Sequence, residues 1–492
     1  MRMKKIIFAW LLIFCLLFAG CGGAAGDAAD ADTSAVEQTT AAETEAETDR
    51  SSIKDSLPDN LDFERRTFNI FYSNGYNWTS FIDVREQTGD VVEDAVYTAN
   101  QTVSERLNVN LGFKAEDKGD WSTISKIVST YILAGDTTYD LFMGEQYGLV
   151  QIVSNGYFLN ANELDYFDFE QPWWNQDFME NLSIGKDIRY FITGDYNLTT
   201  LNMAFVLYYN RALYEKYYGD ADGLYKEVFD GRWDLDMLRK IAKEAFIDLD
   251  NNGKTTEADQ LGFLAYLTYS TVDPFMYCAD IPYAVRDENG YFTINMNQER
   301  ATTLVEKLID IYYQEGSCCN PKESIFQTFA SGNVMFLSGR FDGAENFREM
   351  SDDFGILPHP KLDDTQNKYS GMVADCVLLC AIPVTSLNTD IAGAVIEALN
   401  AETYRYVTPA WYETALKIKY SRGSSTSEMI DLIRDSITTN FIFAYSPVLA
   451  NVGQVMRDLV TKKSTDYMSA VAKLEKRTET ALQKLIAAFE SN

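Results

Sequence analysis

The chain has 492 residues, 46 % of them hydrophobic, which is too long for one compact core and predicts two domains or more. Its formal net charge of −31 argues against nucleic acid and against a bare anionic membrane surface as partners, because both repel an acidic protein. A single histidine, His359, excludes most zinc chemistry and, lying between Pro358 and Pro360, reads as a loop residue.

In chain order, Arg2, Lys4 and Lys5 form a basic start, followed by an unbroken apolar run from Ile6 to Phe18 and then small residues. This is the layout of a secretory signal, and the run is shorter than the roughly 20 residues that span a bilayer. The ending Leu17-Phe18-Ala19-Gly20-Cys21 resembles the lipobox of bacterial lipoproteins, with Phe18 where leucine is usual. The resemblance implies a signal peptide over residues 1–20 and diacylation of Cys21; the alternative is a plain secretory signal with an incidental cysteine. Two acyl chains would hold the chain stably on the outer face of the cell membrane, through the lipid anchor only. Residues 22–50 are small, acidic and nearly free of large apolar side chains, so they cannot bury enough surface to fold. An extended disordered tether over residues 21–60 is expected. Cys278, Cys318, Cys319, Cys376 and Cys380 remain, an odd number with no CxxC spacing, and read as buried thiols. A strained Cys318–Cys319 bridge is the alternative.

The folded body begins near Arg66. Thr67–Tyr72 reads as a strand, followed by a loop from Ser73 to Trp78. Val92, Val96, Ala99, Val103 and Leu107 recur at helical spacing. Val109–Phe113 predicts a second strand, Ser122–Leu133 a helix and Tyr139–Met143 a third strand. Phe205–Tyr209 is a strand, Ala212–Tyr218 and Asp234–Phe246 are helices, and Leu261–Leu264 is a strand. The last hundred residues read as mainly helical, ending in a helix near Tyr467–Phe489. Strand–helix alternation predicts an α/β fold with parallel sheets covered by helices.

Four segments carry a family resemblance. Leu207–Tyr214 resembles the "YNK-x-L-F" segment of family 1 extracellular solute-binding proteins, the maltose-binding-protein-like group. Trp233–Leu238 resembles their "TWDEL" helix start, Phe329–Phe336 their "F-x-x-G-K-x-A-M" segment, and Gly355–Pro360 their "GI-x-P-x-P" loop. The resemblance implies a two-lobed periplasmic-binding-protein-like fold of type II, with a hinge between the lobes. It also implies an interlobe ligand cleft and delivery of a carbohydrate, an oligosaccharide in such a family, to the permease subunits of an ABC importer. The expected lobes are residues 66–198 with 376–415, and 199–375 with 416–492, in a monomer that is not an enzyme. A surface or sensory lipoprotein without a permease is one alternative, and a glycoside hydrolase working with two opposed carboxylates is another.

Asp248, Asp250, Asn252, Thr256 and Asp259 stand at positions 1, 3, 5, 9 and 12 of an EF-hand-like loop. Lys254 offers the carbonyl at position 7 and Gly253 the turn at position 6. Hard oxygens at this spacing predict a structural Ca²⁺; the bland reading is an acidic turn without metal. Position 12 is Asp rather than Glu, and a strand rather than a helix follows.

Binding pockets combine aromatic surfaces with a few directed polar groups. The nominated ligand residues are Asn74, Tyr76 and Trp78 after the first strand, and Glu145, Gln146 and Tyr147 after the third. Trp173 and Trp174 are nominated as stacking platforms, although local packing competes for both. Asp195 and Tyr196 lie near the expected hinge, and Tyr269, Asp273 and Phe275 in a loop that contributes aromatics in the family. Trp411 and Arg340 complete the set. Arg340 stands near the place where the family often carries a stacking tryptophan, and a guanidinium there admits an acidic sugar or a peptide. Trp233 opens a helix and is assigned to packing.

Overall fold

The computed structural model describes residues 50–417 and 424–491. The signal segment, Cys21 and the tether up to residue 49 lie outside the described residues. The strands, in chain order, are β1 (Thr67–Ser73), β2 (Asn110–Glu116), β3 (Leu141–Glu145), β4 (Phe205–Asn210), β5 (Leu261–Ala265), β6 (Ala284–Arg286), β7 (Phe292–Ile294), β8 (Ser317–Cys319), β9 (Val334–Arg340), β10 (Phe354–Leu357), β11 (Gly371–Met372), β12 (Leu378–Ala381) and β13 (Ile437–Thr438). They form two main sheets, in the orders β12-β3-β1-β2 and β10-β4-β9-β5-β8. In the first, β1 runs parallel to β2 and β3, and β12 returns antiparallel. In the second, β5 is parallel to β8 and β9, while β4 runs against β9 and β10.

The sheets form where their sequence is apolar on both faces. Every residue of β3, β4 and β5 is buried, as expected when helices cover both sides. Helix Val91–Leu107 buries Val92, Val96, Ala99, Val103 and Leu107 on one stripe, the spacing read from the sequence. Asp90 caps it by accepting from the Val92 and Glu93 N–H groups, and Asn108 ends it in the left-handed conformation at φ 47°. In the second sheet Gly262 lets β5 approach helix Leu235–Glu244 closely. A Cβ there would overlap the Ala242 carbonyl.

Chain segments near residues 203 and 374 run side by side between the two sheets. Ala204 and Val373 form an antiparallel bridge, and the Ala374 N–H donates to the Met203 carbonyl at 3.0 Å. β12, late in the chain, thereby completes a sheet begun by β1. Asp49–Asn492 is one compact unit containing both sheets.

Two expectations need correction, and the buried-thiol reading holds. The tether does not run to residue 60. From Arg50 the chain lies on the body: Leu57 is buried, and the Asp55 carboxylate pairs with Arg106 at 2.6 Å and Arg405 at 3.4 Å. The second and third strands begin one and two residues later than expected, and the second runs on to Glu116. Asp140 sits just outside β3, because its carboxylate accepts from the Asn69 N–H and the Ser386 hydroxyl. The five cysteines outside residues 1–49 are free; four are buried, Cys319 is partly so, and no Cys318–Cys319 bridge forms. His359 lies in a loop as expected, yet it is buried with its ring 4.7 Å from Phe275, and burial pushes its pKa down to about 3. A neutral core imidazole is therefore its state at pH 7.

Candidate functional site

A cavity of about 450 Å³ opens between elements of the two sheets. One wall comes from the loop and helix after β1, with Tyr76, Trp78, Phe81 and Glu93, joined by Trp411 and Thr414 of helix Thr408–Lys417. The other comes from the turn after β9, with Phe341, Asp342, Glu345 and Arg348. Asn202 lies at the crossing between the sheets. The walls are aromatic. Tyr76 and Trp78 rings are 5.9 Å apart, Trp78 and Phe81 6.2 Å, and Phe341 and Trp411 5.1 Å. Trp78 is only 4 % exposed, and its indole N–H has no protein partner. Buried polar groups are normally satisfied, so an orphan donor on a cavity wall marks a place for an acceptor.

Behind this wall lies a polar cluster. Glu145, at the end of β3, accepts from the Ser73 hydroxyl at 2.6 Å through one oxygen, and its other oxygen has no partner. Burial pushes its pKa up to about 7, against the pull of the Ser73 hydrogen bond. Neither amide atom of Gln146 has a partner. Arg340 pairs with Asp342 at 2.9 Å, and its Nη1 lies 3.7 Å from Cys376 Sγ. Burial raises the phenol pKa values of Tyr76 and Tyr269, and both phenols feel Cys376 and Arg340. Burial likewise lifts Asp375 to about 6 and Asp273 to about 7, although Arg457 draws both down. Asp273 and Arg457 pair at 3.0 Å.

Of the nominated residues, Tyr76, Trp78 and Trp411 line the cavity, and Arg340, Tyr269 and Glu145 lie in the cluster behind it. Several others do structural work instead. Trp173 and Trp174 are core residues whose indole N–H groups both donate to the Glu397 carboxylate, at 2.9 and 3.1 Å. A buried carboxylate with two rings closed over it leaves no face for a sugar. Phe275 packs in the core against His359 and Tyr312. Asn74 holds a turn, accepting from Thr79 and donating to Asp117. Asp195 accepts from the Thr408 hydroxyl at 2.8 Å in a separate small pocket, and Tyr196 is buried. Tyr147 sits edge-on to Trp121. Glu145 precedes a short helix but makes no side-chain cap bond. Trp233 is fully buried, as assigned, and donates to the Pro358 carbonyl.

The sequence reading missed Phe341, Asp342, Glu345 and Arg348. They follow Arg340 directly, and attention to the departure at Arg340 alone stopped one residue short of that wall.

The acidic loop closes as its spacing predicts. Ligand oxygens of Asp248, Asp250 and Asp259 lie within 4.8 Å of one another. Gly253 adopts φ +70°, and its N–H donates to Asp248 at 2.8 Å, holding that carboxyl below its ordinary pKa. Asp259 is buried and accepts from the Leu249 and Thr256 N–H groups. The Asn252 amide oxygen accepts from the Lys254 N–H.

No protein-family model matches the chain, and no curated protein matches it in sequence. Solved structures do match in fold. An ABC transporter solute-binding protein from Thermotoga lettingae TMO, bound with alpha-D-tagatose, is 13 % identical over 85 % of this chain and 100 % of its own, with a TM-score of 0.50. RafE from Streptococcus pneumoniae, in its apo-form, is 14 % identical over 85 % of this chain and 98 % of its own, at 0.52. The galacto-N-biose-/lacto-N-biose I-binding protein of the Bifidobacterium longum ABC transporter, in complex with lacto-N-biose, is 12 % identical over 86 % and 98 %, at 0.53. This likeness shows that the chain has the α/β fold of solute-binding proteins.

Proposed function

We propose that the chain is the lipid-anchored, extracytoplasmic binding subunit of an ABC importer, and that it captures a carbohydrate between two lobes without transforming it. The lobes are residues 66–198 with 376–415 and residues 199–375 with 416–492, each centred on one main sheet. The observation that carries this reading is the cavity between elements of the two sheets, walled by Trp78 and Trp411 and holding an unpartnered indole N–H. Aromatic rings cover the apolar faces of sugars while polar groups orient their hydroxyls. The fold shared with sugar-binding proteins of ABC transporters, and the lipobox-like start, support the same conclusion.

The test is a thermal-shift screen of the body from Asp49 to Asn492 against saccharides and peptides. A bound saccharide stabilises the folded state, by about 2.7 kcal/mol at a concentration one hundred times its Kd. Trp411→Ala should weaken the binding of any hit by about 2 kcal/mol, the usual scale for a buried aromatic anchor. Consumption of the hit on long incubation would overturn the binding-protein reading. Shifts with peptides alone would keep the fold and overturn the substrate class.

The loop from Asp248 to Asp259 is proposed as a structural Ca²⁺ site. Asp248, Asp250, Asn252, Thr256 and Asp259 would supply side-chain oxygens and Lys254 its carbonyl. The convergence of three carboxylates around the Gly253 turn supports this set. Calcium at the millimolar levels typical of extracellular modules should raise the melting temperature, and Asp250→Asn should remove that response. An unchanged melting curve for the native protein across that range would eliminate the site.

A further inference from the structure

Among the described residues three arginines lie in or behind the cleft; two are forked onto carboxylates, and the third, Arg348, is exposed on the rim. Arg340 forks onto Asp342 at 2.9 and 3.2 Å. Arg348 lies 3.7 Å from Glu345. Arg457 forks onto Asp273 at 3.0 and 3.1 Å. Among the described residues the cavity lining contains no lysine.

Carboxylates, in contrast, are in surplus. Glu145 meets only the Ser73 hydroxyl and leaves one buried oxygen without a partner. Glu93, on the cavity wall, accepts from the hydroxyls of Ser80 and Thr88. Asp90 is engaged only with N–H groups of its own helix start. Asp375 is partly buried, and its desolvation outweighs the pull it feels from Arg457 and Arg340.

A ligand anion buried in this cleft would lose its hydration and, among the described residues, find no buried cation free to replace it, which is costly beside like charges. A hydroxyl or ammonium would instead donate to the waiting carboxylates in charge-assisted bonds. We propose that the cleft takes a hydroxyl-rich ligand that is neutral or amine-bearing, and rejects one carrying a carboxylate, sulfate or phosphate. This rests on the reading of the cleft as the ligand site, and it reverses the inference from Arg340 that an acidic sugar is admitted.

The experiment is isothermal titration of the full chain, held in detergent, with matched sets of ligands. Neutral, free-amine and uronate oligosaccharides of equal length are built on glucose, galactose and mannose backbones. Neutral, lysine-containing and glutamate-containing peptides are included. Within every set that binds, the neutral or amine member should be favoured over its anionic counterpart by at least about tenfold, or about 1.4 kcal/mol. Asp342→Asn frees Arg340 and should narrow that ratio. An anionic member that binds the native protein as tightly as its neutral counterpart overturns the proposal. If only peptides bind, the carbohydrate reading fails, while the charge preference is still read within the peptide set.

Discussion

Replacing Asp55 by alanine should destabilise the body by about 3–5 kcal/mol, the cost of removing one partner from a buried ion pair. The side chain is 2 % exposed. It accepts from both terminal nitrogens of Arg106, at 2.6 and 2.7 Å, and from Arg405 at 3.4 Å. Burial alone would raise its pKa, but Arg106 and then Arg405 hold it below the ordinary carboxylate value. A depressed pKa means this stabilisation is present above the unfolded value and is lost as pH falls through the folded one. In the variant Arg405 keeps Glu402 at 2.6 Å, whereas Arg106 loses its bidentate partner. The measurement is urea unfolding of Asp55→Ala, Arg106→Ala and the double variant, with exposed Glu86→Ala as control. A shift no larger than that of the control, expected within about 0.5 kcal/mol, would show that the strap from Arg50 to Leu57 is incidental. Strong coupling in the double variant would show that a body cut after residue 57 lacks part of its own core.

That strap also marks where sequence reading fails. Residues 50–60 continue the polar composition of the tether, and nothing local separates the two. Their order comes from Arg405, some 350 positions away, placed by the turn Thr403–Val407 after helix Thr389–Glu402. The tryptophan pair misleads for the same reason: Glu397, which engages both indoles, lies more than 220 residues downstream. By contrast, the stripe from Val92 to Leu107, the run in β1 and the acidic loop are legible because each signal repeats within a few turns of chain. The cleft falls between these cases. Residue type and position after the first predicted strand point to Tyr76 and Trp78, residue type alone points to Trp411, and all three line the cavity. Its opposite wall at Phe341–Arg348 is assembled only when β9 pairs with β4 and β5.

The thermal stability of the ligand-free protein should rise as pH is lowered from about 8 to about 5, by several kcal/mol in unfolding free energy. Five carboxyls carry this expectation. Burial lifts Glu145, Asp273 and Glu397 to about 7, and Asp195 and Asp375 to about 6. A carboxyl whose folded pKa exceeds its unfolded one binds more protons when folded, so stability falls as pH rises between the two values, by about 1.4 kcal/mol per unit of difference. The formal charge of −31 acts in the same direction, since protonation relieves repulsion within the folded body. Below about pH 4 the sign reverses, because Asp55 and Asp390, held low by arginines, and Asp363, held low against burial by the Thr365 hydroxyl and then Arg300, lose these partners. Glu397→Gln separates the local term from the global one. It removes a single titrating group while keeping an acceptor for one of the two indoles, so its pH profile should be shallower than that of the native protein. A native profile that is flat or rising from about pH 5 to 8 would mean that water or counter-ions already compensate these carboxyls. A falling profile that Glu397→Gln leaves unchanged would assign the slope to net charge and to the carboxyls behind the cleft. In that case a cationic ligand should release protons on binding, because it favours the ionised forms of Glu145 and Asp375.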